Sequence, residues 1–182
     1  MMKAVNSTNL PAARLAAVAC ALVFGVGLGS GVAPAPLGQA HDFELEDINP
    51  RSESYGQRLV LRELYAERGL VLQFVASWCE PCRRELPHLE ELYVSGRAPV
   101  ALVAADEHGY PESILIVAER RNLTAPILYV PLDETEQLEQ FYPYEILPAT
   151  YLIDRHGVIR QLHQGAWSEP LLVAAIEREL KL

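Results

Sequence analysis

The sequence predicts an α/β domain of three layers, a mixed sheet with helices on both faces. Three features point there. Two near-continuous apolar runs, "LVLQFVAS" from residue 70 and "APVALVAAD" from residue 98, have the composition of strands buried on both faces. Amphipathic stretches of helical period follow each of them. Near the C-terminus, "ATYLIDRHGVIRQLHQG" alternates on either side of a turn at Arg155–Gly157, as an antiparallel hairpin does.

Residues 1–40 stand apart from this pattern. Lys3 and Arg14 are the only charges before His41, and an uncharged run of apolar and small residues joins Arg14 to Ala40. A basic start, an apolar middle and a small-residue end predict a secretory signal peptide or signal anchor. Cleavage after Ala40 fits the small residues of "GQA". Retention as an anchor fits equally, because the run reaches the ~20 residues that cross a bilayer. In both cases the basic end stays inside and the acidic "HDFELED" lies outside. Cys20 follows Arg14 by too few apolar residues for a lipidation signal and reads as a leader residue without chemistry.

The exported domain, 41–182, then unfolds in order. "HDFELEDI" alternates Phe43, Leu45 and Asp47 against polar neighbours, a short strand with one buried face. "NPRSESYGQ" is a turn-rich loop, and "RLVLRELYAERG" predicts a short helix or turn ending at Gly69. The first buried strand leads into a helix over 79–93, whose inner face is Leu86, Leu89, Leu92 and Tyr93 and which Pro87 interrupts. After the second buried strand, "PESILIVAERRN" is a helix with Pro111 at its start. "APILYVPLD" reads as a short extended segment and "ETEQLEQFY" as a short helix. Beyond the hairpin, "SEPLLVAAIERELKL" is an amphipathic helix with Ser168 at its N-cap.

Charge limits the partners. Residues 41–182 hold all 24 acidic residues and all but two of the 15 basic ones, so they carry about −11. That argues against nucleic acid or anionic lipid as a ligand. The same segment keeps two of the three cysteines, in a compartment where disulfides persist.

Those two sit in "WCEPC", where a buried strand gives way to a helix. The helix N-terminus offers unpaired N–H groups and a dipole to Cys79, so its thiolate is stabilised and its pKa should fall below the free value of about 8.5. Cys82 lies one turn further in, within reach of a mixed disulfide formed at Cys79, and Pro81 stiffens the turn between them. One acidic, exposed thiol and one sheltered resolving thiol are what thiol–disulfide exchange needs. A zinc site would want four ligands, and beyond His88 none suggests itself. A purely structural disulfide across so small a loop would add little stability. The "DEHG" run at 106–109 reads as a loop after a strand rather than a metal cluster.

The segment "VLQFVASWCEPCRRELPHLEEL" resembles the active-site segment of thioredoxin-fold proteins, specifically the exported TlpA/ResA-like thiol–disulfide oxidoreductases. "HDFELED" resembles the family's opening strand, and "LPATYLIDRHGVIRQLHQGAW" its cis-proline segment and terminal hairpin, so the resemblance covers nearly all of 41–182. It implies a thioredoxin fold with an N-terminal strand extension. Cys79 would be the attacking thiol, Cys82 the resolving one and Pro148 the cis-proline beside them. Trp78, Pro81, Ile146, Leu147 and Ala149 would form the substrate groove. Glu85, one turn after Cys82, matches an acid of the ResA-like members and would tune the cysteines or carry a proton for Cys82. The sequence departs from the pattern in three places. Gln73 stands where thioredoxin has a buried aspartate, Ala149 replaces the usual threonine, and Pro143 replaces a typical glycine.

The resemblance implies an enzyme that exchanges a CxxC disulfide with partner proteins as a reductant, without a dissociable cofactor or metal. It further implies a location in the periplasm or on the outer face of the cytoplasmic membrane, and a membrane thiol donor of electrons. "CEPC" together with Glu85 leans towards cytochrome c maturation, with apocytochrome c as substrate. The alternatives are a redox or assembly factor for another exported protein such as a copper centre, and a thioredoxin-fold binding module without redox activity.

Overall fold

A computed structural model describes residues 37–106 and 111–181. The leader up to residue 36, with Cys20, and residues 107–110, which take in all of the "DEHG" run but Asp106, lie outside the described residues. In chain order the elements are β1 (Gly38–Gln39), β2 (Glu44–Asp47), β3 (Arg58–Val60), α1 (Leu61–Tyr65), β4 (Leu70–Val75), α2 (Glu80–Val94) and β5 (Val100–Ala104). They continue as α3 (Pro111–Arg121), β6 (Ile127–Tyr129), α4 (Leu132–Phe141), β7 (Ala149–Ile153), β8 (Val158–Gln164) and α5 (Glu169–Leu180).

The strands form a single mixed sheet in the order β1-β8-β7-β4-β5-β6-β2-β3. β4, β5 and β6 run parallel, and the remaining pairs are antiparallel. β4 sits at the centre, and all six of its residues are buried, as its unbroken apolar run requires. Alternation along the strands sends Val71, Val75 and Leu152 to one face with α2, α3 and α5. The opposite face takes Leu72, Phe74, Ala149, Tyr151 and Ile153, with α1 and α4. On that second face Phe74 stands among Tyr142, Tyr144 and Tyr151, with ring centroids 5.3–6.0 Å away. The three-layer α/β/α architecture expected from the sequence is present.

Two glycines fix the ends of the central strands. Gly69 enters β4 at φ +77°, and a Cβ there would lie 2.7 Å from the Ile153 carbonyl oxygen. Gly157 (φ +77°) closes the β7–β8 turn. There the Asp154 carboxylate accepts the His156 and Val158 N–H groups and pairs with Arg160.

The N-terminal extension is longer than the sequence suggested. β2 and β3 form a hairpin on the β6 edge, held by buried Asp47, which accepts from the Ile127 and Asn49 N–H groups at 3.0 Å and from Ser54 Oγ at 2.7 Å. At the other edge, Gly38 and Gln39 pair with Ile159 and Val158. These residues fall within the stretch read as leader, yet they are part of the sheet; their pairing is with β8, over a hundred residues away, and leaves no local pattern. The segment read as "RLVLRELYAERG" divides into β3 and α1. Ser168 takes the N-cap position of α5 but makes no side-chain capping bond. Among the described residues no helix is long and apolar enough to cross a membrane.

Candidate active site around Cys79 and Cys82

β4 delivers the chain to a short, well-anchored loop. The Asp106 carboxylate, just beyond β5, accepts the Ser77 N–H at 3.1 and 3.2 Å and the Ser77 hydroxyl at 2.7 Å. From the other side Arg83 donates to the Ser77 carbonyl at 2.7 Å and pairs with Glu80. Thus Ser77 is held at its N–H, its hydroxyl and its carbonyl, two residues before the first cysteine.

Cys79 is the N-cap of α2, extended at φ −76° and ψ 102°, and its Sγ accepts the Cys82 N–H at 3.1 Å. A sulfur at this position meets an N–H that the helix itself cannot satisfy. Pro81 falls in the first turn, where its missing N–H costs nothing. Cys79 and Cys82 are joined by a disulfide with an S–S distance of 2.06 Å. Cys82 is fully buried, and Cys79 is 3% exposed. Cys79 is therefore more sheltered in this disulfide state than an exposed nucleophile was expected to be.

The Leu147–Pro148 peptide is cis. Phe74 pairs with Ala149, so Pro148 comes at the sheet end where β4 gives way to the cysteine loop. Two tethers fix this approach to β7. Gln164 Oε1 accepts the Glu145 and Ile146 N–H groups at 2.5 and 3.0 Å, and the Gly165 N–H donates to the Pro148 carbonyl at 2.8 Å. Of the residues expected to form a groove, Trp78 (61%) and Ile146 (58%) are exposed, while Pro81 and Leu147 are half-buried. Ala149 is not at the surface. The β7 register turns it into the aromatic face beside Phe74, and it is fully buried, so its side chain lines no groove.

Behind the disulfide lies a carboxyl group. Glu85 is 2% exposed and sits one turn beyond Cys82 on the inner side of α2. Its Oε2 accepts the Trp167 N–H at 3.3 Å, and its Oε1 has no protein partner. Burial pushes its pKa up to about 7, and the Trp167 N–H and the Gln73 side chain oppose that rise. A carboxyl poised near neutrality can give or take a proton at physiological pH. Of the residues around it, Gln73 was noted from the sequence only as a departure from thioredoxin's buried aspartate, and Thr150 and Trp167 were not singled out. Gln73 also stood out as an amide inside an otherwise apolar buried strand.

The Glu85 shift has a consequence for stability. Its native pKa of about 7 exceeds its unfolded value of 4.5, so the native state binds the proton more tightly. The group imposes no penalty below pH 4.5, and stability is lost as pH rises through 7. Relative to Glu85→Gln, the disulfide form is expected to lose about 3 kcal/mol between pH 4.5 and 8.5. Denaturant unfolding of both proteins across that range measures the difference.

Among the described residues no group of three or more His, Cys, Asp or Glu side chains is placed to hold a metal ion. Comparison with known proteins gives concordant matches. The profile of the AhpC/TSA family matches residues 37–162. The thiol–disulfide oxidoreductase ResA of Geobacillus kaustophilus is 32% identical over 143 residues, 78% of this chain and 74% of that protein. StoA from Bacillus subtilis superimposes with a TM-score of 0.57 at 22% identity, over 74% of this chain and 96% of its own. A thio-disulfide isomerase from Thermus thermophilus gives 0.61 at 23% identity, over 82% and 100%. These two structures share the thioredoxin fold described above.

Proposed function

This chain belongs to the AhpC/TSA family and, within it, to the ResA-like thiol–disulfide oxidoreductases of thioredoxin fold, and on that premise we propose that it is an exported reductant of protein disulfides. The observation that carries this reading is the Cys79–Cys82 pair at the N-terminus of α2 with the buried Glu85 carboxyl behind it.

In the reduced protein the Cys79 thiolate, favoured by the helix N-terminus, attacks one sulfur of a partner disulfide. A mixed disulfide forms, and the partner's other sulfur leaves as a thiolate that takes up a proton. Glu85, as carboxylate, takes the proton of the Cys82 thiol. The Cys82 thiolate then attacks Cys79 Sγ, the intermolecular bond breaks, and the partner's second thiolate is released and protonated. Two electrons pass to the partner and the Cys79–Cys82 disulfide remains. A dithiol donor in the membrane restores the reduced form by the reverse exchange. The sulfurs themselves carry the electrons, so no dissociable cofactor is required. Trp78, Pro81, Ile146 and Leu147 provide the surface on which the partner lies, next to Pro148.

The leader delivers the domain to the periplasm or the outer face of the cytoplasmic membrane, free or anchored. The proposed substrate is the CxxCH disulfide of apocytochrome c, which must be reduced before haem is attached. Cys82→Ala, expressed with its leader in the native host, should accumulate a mixed disulfide at Cys79. Mass spectrometry of the trapped species should identify CxxCH proteins or a factor that serves them. Trapping of copper-site proteins, or of an unselective mixture, would reject the cytochrome assignment and leave the exchange chemistry intact.

A further inference from the structure

The surroundings of Glu85 raise a second question, because the buried side-chain polar atoms without a protein partner are concentrated there. Among the described residues they are Glu85 Oε1, Gln73 Oε1 and Trp167 Nε1. Trp167 touches Glu85 through its backbone N–H, and the Gln73 side chain interacts with the same carboxyl group. Gln73 is fully buried at the centre of β4, and its Nε2 donates to Thr150 Oγ1 at 3.0 Å across the β4–β7 pair.

In this arrangement two acceptor oxygens, one from Glu85 and one from Gln73, are buried without a hydrogen-bond partner in the protein. A burial of that kind is costly unless a proton or a donor joins them. A proton on Glu85 turns one oxygen into a donor for the Gln73 oxygen. When that proton leaves, a half-turn of the amide presents its NH2 to the carboxylate. The Thr150 hydroxyl both donates and accepts, so it satisfies the other end of the amide in either orientation.

We propose that Gln73 is a positioning residue for the Glu85 carboxyl, its amide turning end for end with Glu85's protonation so that both states are hydrogen-bonded. The role rests on the proton transfer assigned to Glu85 above. It allows the carboxyl to cycle between acid and base without leaving a buried group unpaired. The titratable neighbours are Cys82 and His88 on α2, His163 on β8, which stacks on Trp167 with ring centroids 4.0 Å apart, and Glu169 at the start of α5, 3.5 Å from His88.

The test is a pH titration by NMR of the disulfide form, in which the cysteines do not titrate. The Gln73 side-chain NH2 resonances of the wild type should move with the midpoint of the Glu85 carboxyl carbon. In Glu85→Gln they should stand still. In Gln73→Leu the Glu85 midpoint should rise by about one unit, because a hydrogen bond to the charged form is about twice as strong as one to the neutral form. Gln73 resonances that do not titrate, or that still titrate in Glu85→Gln through His163 or another neighbour, would overturn the proposal. An unmoved Glu85 midpoint in Gln73→Leu would do the same. If these signals behave as expected while Glu85→Gln resolves mixed disulfides normally, the amide role holds and the proton-transfer reading is the one that falls.

Discussion

Cys79→Ser is expected to lower disulfide exchange on the order of a thousandfold or more, to the uncatalysed level. A hydroxyl is scarcely ionised at neutral pH and does not displace a thiolate from a disulfide, so no mixed disulfide forms. The substitution is a clean one structurally. Sγ of Cys79 caps the Cys82 N–H, and serine is among the preferred N-cap residues, so the introduced oxygen can accept the same bond. The lost disulfide closed only a three-residue separation; both sulfurs belong to the core on the α2 side, but that core continues through Leu86, Leu89 and Ile176, and the core on the other face contains neither cysteine. Circular dichroism should therefore show a folded protein, and an assay of protein-disulfide reduction should show none of the wild-type rate. Retained exchange would mean that Cys82 or a site elsewhere does the chemistry.

Glu85→Gln should slow the resolving step on the order of a hundredfold at pH 7 while leaving the first attack by Cys79 comparatively untouched. The two side chains are nearly the same size, and Gln offers Oε1 to the Trp167 N–H in place of the carboxylate. What disappears is the proton acceptor beside Cys82. With Glu85 present, the resolution rate should rise with pH through about 7, as the carboxyl ionises, and then level off. Without it the rate should keep climbing towards the ionisation of the thiol itself, near 8.5 for a free cysteine. Stopped-flow measurement of mixed-disulfide decay between pH 5 and 9 separates the two profiles. Identical profiles would assign Glu85 a packing role only.

Much of this was legible in the sequence because the signals are local. The continuous run of β4 and the alternation of β7 and β8 are direct imprints of burial, and the cysteine spacing places both sulfurs in the first turn of α2. Glu85 was readable as one turn from Cys82, though its burial was not, since nothing nearby in sequence reveals that Trp167 and Gln73 close over it. That pocket is assembled from β4, α2 and the β8–α5 connection. Its hydrogen bond from Trp167 to Glu85 spans 82 residues. β1 escaped notice for the same reason: two residues, Gly38 and Gln39, with no alternation of their own become a strand because β8 offers an edge. Ala149 was misplaced by adjacency, since the residue after Pro148 points to the opposite face of β7 from Thr150, which reaches Gln73.

The passage of one dithiol–disulfide exchange through Cys79 and Cys82 underlies every role assigned above. It is tested most directly by a single turnover. Fully reduced protein is mixed with an equimolar peptide carrying one intramolecular disulfide, quenched with an alkylating agent at intervals, and both molecules are weighed by mass spectrometry. A transient adduct at Cys79 is expected, then one reduced peptide for each Cys79–Cys82 disulfide formed. A peptide that stays oxidised, or one that is reduced while both cysteines remain alkylatable, would contradict it.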